Sequence, residues 1–162
     1  MPATRMLERS VEQPETGASG SYDGDFHAWT IEQALALREG RLSDLDRENL
    51  AEEIEDLGKF VFNGLRSSFR VILLHMLKWD HQPERRSRSW VTSIRTHRID
   101  LEEVLSENPS LRRRQVEAIE KAYRTARIKA ASEMKRDENS LPASCPYSLD
   151  DILSRPFDWP VE

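Results

Sequence analysis

From Leu45 to Trp79 the chain runs for 35 residues without a proline. Within that stretch Leu50, Ile54, Leu57, Val61, Leu65, Ser68, Ile72, Met76 and Trp79 recur at steps of three and four. That is the period of one face of an α-helix. A helix over about 45–79 would be roughly 50 Å long at 1.5 Å per residue. It cannot bury such a stripe alone, so the rest of the chain must pack along it.

The flanking segments supply the packing partners. Residues 1–21 mix Pro2, Pro14, Gly17 and Gly20 with serines and show no periodicity, as a flexible arm would. Asp23 or Asp25 can cap a first helix whose apolar face is Phe26, Trp29, Ala34 and Leu37, with Ile31 and Leu35 beside it. Gly40 ends it as a left-handed cap. Ser43 or Asp44 then caps the long helix, and Asp46 and Glu48 fall in its first turn. Gly58 and Gly64 lie inside it, marking close approach of a neighbouring helix or a break. The unbroken helix is the simpler reading.

Pro83 ends the long helix. A third helix starts at about Glu84 or Ser87 and runs to Glu107, on a stripe of Trp90, Ile94, Leu101 and Val104 or Leu105, with His97 filling one turn. Asn108-Pro109-Ser110 stops and restarts the chain. A fourth helix continues to about Asp137 with Val116, Ile119, Tyr123, Ala126, Ala130 and Met134 inward. In the proline-rich tail, Ser148 caps a short helix over 148–153, and Phe157 and Trp159 fasten the end to the bundle. No segment alternates as a strand would. The fold class is therefore all-α: an antiparallel helical bundle built on one long central helix, with residues 22–160 as a single domain.

Composition narrows the class further. The lone Cys145 can form no internal disulfide, there is no CxxC pair for zinc, and one thiol suits a reducing cytoplasm. The acidic residues Glu8, Glu12 and Glu15 and the lack of an apolar run argue against a signal peptide near the N-terminus. The longest apolar run, Val71–Leu74, is too short to cross a bilayer. A net charge of −5 argues against wholesale coating of nucleic acid.

Taken together, several stretches are similar to a bacterial family, the "domain of unknown function 29". They are Tyr22-Asp23-Gly24-Asp25-Phe26 with Trp29, Leu50 to Asp56, Leu73 to Trp79, Gln82-Pro83-Glu84 with Ser89-Trp90, Asn108 to Leu111, and Cys145-Pro146-Tyr147. They span about residues 22–160. The resemblance implies an all-helical protein and brings no established activity. The chain departs from the pattern at Phe60-Val61-Phe62-Asn63, where the family is similar to a charged run.

Four constellations are candidate sites. Glu52, Glu53 and Asp56, with Glu55, form an acidic set of the kind that holds metals in helical bundles. His75 is 22 residues from Glu53, roughly 33 Å along a straight helix, so the two cannot share an ion within one rod. If the third helix folds back about Gln82, position 53 falls level with position 111, and Arg112, Arg113 and Arg114 can neutralise the acidic set instead. No cofactor is expected. The same register sets His75 beside Ser89 and Trp90, with Asp80, His81, Gln82 and Arg86 on the adjoining turn. Histidine, serine and a carboxylate invite a hydrolase reading, but no nucleophile motif accompanies them, and the balance is against an enzyme. Arg85, Arg86, Arg88, Arg95 and Arg98, less Glu84, give residues 84–98 a charge of +4, a face that could grip phosphates. Finally, Phe60, Phe62 and Phe69 give the long helix a second apolar side, covered by the bundle or by another subunit.

The function these features fit with least addition is a cytoplasmic helical protein-interaction module, able to form a homodimer. An enzyme or ligand-binding protein with a polar site at His75 and Ser89 comes next. A nucleic-acid-binding or antitoxin-like regulator using Arg85 to Arg98 comes third.

Overall fold

The computed structural model describes residues 20–159. Apart from residues 20 and 21, the arm expected over 1–21 lies outside the described residues, as does Pro160. The elements are α1 (Phe26–Glu39), α2 (Arg47–His81), α3 (Arg88–Glu107), α4 (Gln115–Met134) and α5 (Leu149–Ser154). Short 3-10 turns, among them Pro109–Arg114, link them. There is no strand among the described residues, and the fold is an all-α helical bundle. Contacts divide the described chain into two compact units that meet in sequence at Glu53 and Ile54.

The first unit is a hairpin of α1 and the opening turns of α2. Asp25 caps α1 by accepting from the Ala28 N–H at 2.9 Å, and Gly40 closes it at φ 70°. Asp46 is the residue that caps α2: its Oδ1 accepts from the Asn49 N–H at 3.3 Å, so neither Ser43 nor Asp44 has that role. Asp44 instead pairs with Arg41. Gln33 ties the hairpin, accepting from the Asp46 N–H at 2.8 Å. The buried side of α1 is Trp29, Gln33 and Ala36, whereas Phe26, Ile31, Leu35 and Leu37 are exposed. The expected apolar face is thus rotated, because Gln33 is drawn inward by two backbone groups that need a partner.

The second unit is built on the C-terminal half of α2. Helix α2 is unbroken across Gly58 and Gly64, and a Cβ added at either would meet nothing within 4 Å, so no neighbour approaches there. From Phe62 onward one face is sealed: Leu65, Phe69, Ile72, Leu73, Met76 and Leu77 have almost no exposure. Side chains of this size contribute about 1.5–3 kcal/mol each when fully buried. Of the three phenylalanines expected to be covered by the bundle or by another subunit, Phe62 and Phe69 are core, at 6 % and 0 % exposure, and Phe60 is exposed. Phe62 and Phe69 lie one heptad apart on the side that α3 and α4 cover.

Helix α3 runs back along α2, since Trp90 lies by His75 and Leu111, just past its end, shares a groove with Phe62. Helix α4 then runs the same way as α2: Arg114 and Lys121 sit over Phe62, and Glu133 reaches Lys78. On α3, Trp90, Ile94, Leu101 and Leu105 are buried as the spacing predicts. On α4, Ala118, Ala122, Ala126 and Ala130 let the helices close up, while Val116, expected inward, is exposed. The reason is local: residues 109–114 are a 3-10 turn and α4 begins only at Gln115, which shifts the inward phase at its start. Helices α3 and α4 have 20 residues each against 35 in α2. The stripe positions Ile54 and Leu57 lie before Phe62, where that cover begins, and they are 66 % and 68 % exposed.

The tail is held by polar groups. A reciprocal capping box of Ser148 and Asp151 starts α5. Arg98 donates to the Asp151, Ile152 and Arg155 carbonyls at 3.1, 2.8 and 3.0 Å, closing its C-terminus. Phe157 packs edge-on against Trp79 at 5.6 Å between centroids.

Helix α4 ends on Lys135 in the left-handed region at φ 55°, a conformation that favours glycine. Lys135→Gly should raise unfolding stability by about 0.5–1 kcal/mol. Urea denaturation checks this; an unchanged or lower midpoint would contradict it.

Candidate functional site

Two places in the second unit gather chemically capable side chains. The first surrounds His75. Its imidazole lies 6.4 Å from the Trp90 ring, and Lys78 Nζ stands 4.5 Å above the same indole. Lys78 is itself buried and paired with Glu133 at 2.5 Å. His75 Nδ1 is buried and meets no hydrogen-bond partner among the described residues. Burial, and then the Lys78 charge, hold the His75 pKa down to about 4, so the ring is neutral at pH 7. His97 comes near enough to add to that effect, and its Nδ1 donates to the Ser93 carbonyl at 2.8 Å.

The other residues expected here disperse. Ser89 is exposed and shares a hydrogen bond with Ser87, 2.8 Å away. Arg86 stacks on Trp79 and donates to its carbonyl at 3.0 Å. Gln82 is buried, and His81 is partly exposed. Asp80 turns to the tail, accepting from Tyr147 at 2.9 Å and pairing with Arg155 at 2.6 Å. Burial acts to raise the Asp80 pKa, but the bonds from Arg155 and Tyr147 outweigh it and hold the carboxyl below its usual range. Burial pushes the Tyr147 phenol and the Cys145 thiol up, so neither is a ready nucleophile. Histidine, serine and carboxylate thus do not converge on one reacting position.

The second place is an open groove of about 640 Å³ lined by Glu55, Gly58, Lys59, Phe62, Ser110, Leu111, Arg113 and Arg114. The fold-back brings Arg113 and Arg114 to one groove with Glu55, while Arg112 is exposed and does not line it. The expected neutralisation is not how they bond. Arg114 donates to Glu117 at 2.9 and 3.1 Å and lies 3.8 Å over the Phe62 ring. Arg114 and Lys121 together hold the Glu117 carboxyl down to about 2. Asp56 pairs with Lys59 at 2.7 Å, and in the first unit Glu53 accepts from the Tyr22 phenol at 2.7 Å. Glu52 is exposed. Among the described residues no group of three or more histidines, cysteines or carboxylates is placed to hold a metal ion.

The basic set is likewise divided. Arg85 and Arg88 are exposed, but Arg86 and Arg98 are bonded inside the chain, and Arg95 reaches the Phe157 carbonyl at 3.4 Å. Sequence reasoning missed Arg98 as a clamp on α5 and Lys78–Glu133 as a half-buried pair. The spacing carried a signal for Arg98, which is four residues after Ile94 and three before Leu101, on the inward stripe. Nothing marked Glu133.

His75 generates a pH dependence. Its pKa is near 4 folded against 6.5 unfolded, so between those values the unfolded chain binds the proton more tightly. Stability should fall as pH drops from about 6.5 toward 4, and His75→Gln should flatten the upper part of that slope. Chemical denaturation from pH 7 to 5 measures it; equal slopes in both proteins would contradict the assignment.

A family model described as "Domain of unknown function DUF29" matches residues 21–158, and the chain belongs to that family. No curated protein and no solved structure matches the chain. The family stretches now have structural roles. Tyr22, Phe26 and Trp29 form an aromatic trio in the first unit, with centroids 4.9–5.6 Å apart. Leu73 to Trp79 supplies core residues, His75 and the Lys78 pair.

Proposed function

We propose that this chain is a protein-interaction module working in the cytoplasm. The observation that carries the reading is the uncovered apolar surface of α2. Ile54, Leu57 and Phe60 are 66 %, 68 % and 78 % exposed within four turns of a fully sealed core. Large apolar groups left in water are costly, and clustered ones mark a surface that another protein covers. In the first unit Phe26, Ile31, Leu35, Leu37 and Leu42 add further exposed apolar side chains. Among the described residues no helix is long and apolar enough to cross a membrane.

The alternative readings draw less support. An enzyme or ligand site at His75 has a neutral, unpartnered imidazole in its favour, but Ser89 and Asp80 are committed elsewhere. A nucleic-acid surface would rest on Arg85 and Arg88, since Arg86, Arg95 and Arg98 have internal partners.

The double variant Ile54→Asp/Leu57→Asp separates these readings. Both side chains are exposed, so its Tm should stay within a few degrees of the wild type. Proteins recovered on the tagged wild-type chain from its own cells should be lost from the variant. Unchanged recovery by a folded variant would contradict an interaction role for this face.

A further inference from the structure

We propose that the groove floored by Gly58 is one half of a two-fold interface, and that α2 of a second copy of this chain fills it. This deepens the interaction-module reading and rests on it.

Three features of the second unit converge on a copy of the same chain. The first is apolar continuity. Around α2, Ile54, Leu57, Gly58 and Val61 continue the side that becomes Leu65, Phe69 and Ile72 further on, at helical spacing. The same face is sealed beyond Phe62 and open before it. What lies over the open part should therefore resemble what lies over the sealed part, namely another amphipathic helix.

The second is space. A Cβ at Gly58 would touch nothing, although glycine in a helix interior costs about 1 kcal/mol against alanine. No neighbour among the described residues explains the missing side chain. A helix crossing directly above Gly58 would, because it could come close without displacing a side chain.

The third is charge of both signs in one patch. Glu55 and Arg113 both line the groove. Neither makes an ion pair or a side-chain hydrogen bond within the described chain, in contrast to Arg114, which is bound to Glu117, and Asp56, bound to Lys59. A basic partner would satisfy Glu55 and oppose Arg113; an acidic partner would do the reverse. A two-fold interface presents the same patch from both sides, so each copy supplies what the other lacks. With the two α2 helices antiparallel and crossing near Gly58, Ile54 and Leu57 of each cover the other's floor. Glu55 of each then faces Arg113 of the other, twice over. Phe60 is two residues past Gly58, about 200° round the helix, and stays outside this contact.

The experiment uses the full chain in sedimentation equilibrium from low to high micromolar concentration, with circular dichroism as the folding control. Wild type should dimerise and Leu57→Arg should not. Glu55→Arg and Arg113→Glu should each weaken self-association more than roughly tenfold, since each sets like charges opposite one another. An equal mixture of those two single variants should associate again, because every facing pair is then opposite in sign. A wild type that stays monomeric throughout, a Leu57→Arg chain that dimerises normally, or single variants that fail to associate on mixing would each overturn the proposal. If self-association fails while a different protein still binds through Ile54 and Leu57, the interaction-module reading stands and the two-fold pairing does not. If neither binds, both fall.

Discussion

One helix of 35 residues packs against helices of 20, and the rest of this structure follows from that mismatch. Apolar area removed from water is the main favourable term in folding. Along α2 that term is collected fully from Phe62 to Trp79 and hardly at all from Ile54 to Phe60. Truncating the sealed part, for instance at Phe69, leaves a cavity with a typical cost of about 3–5 kcal/mol. The open part contributes little to the isolated chain, so its apolar residues need a reason outside that chain.

Charge and hydrogen bonding determine how the remaining segments sit. Lys78 links α2 to α4 through Glu133 while covering Trp90. Asp80 holds the tail through Tyr147 and Arg155, and Arg98 holds α5 by its carbonyls. A half-buried pair such as Lys78–Glu133 adds less net stability than its geometry suggests, because Lys78 loses its water while Glu133 stays about half exposed. Its value lies in fixing which groups face each other. The same commitments remove Asp80, Arg86 and Arg98 from any catalytic or phosphate-binding role at the end of the bundle. What remains uncommitted is the neutral imidazole of His75 and the patch around Gly58.

The helices were legible because their signals are local. Asp25, Gly40, Pro83 and Ser148 begin or end elements through their own backbone chemistry, and the stripe of α2 specifies one helix rather than two. The fold-back register was legible too, since it brought His75 to Trp90 and Arg113 and Arg114 to one groove with Glu55. Which apolar residues are covered was not. Phe62 and Phe60 are alike in sequence but lie about 200° apart round α2, and only the side on which α3 and α4 pack decides that one is buried and the other is not. Pairings such as Arg114 with Glu117 escaped for a related reason: a partner one turn away on the same helix competes with one across a groove, and spacing alone does not rank them. The start of α4 was misplaced because the 3-10 turn over residues 109–114 shifts the phase of the helix that follows.

The division of α2 into a sealed half and a half awaiting cover is open to direct measurement by native-state hydrogen exchange. Amides from Leu65 to Trp79 should exchange only through global unfolding, and so stay slow even in dilute protein. Those from Glu55 to Val61 should exchange far faster in dilute protein and become protected as concentration rises. Uniform protection along the whole helix at every concentration would contradict this account.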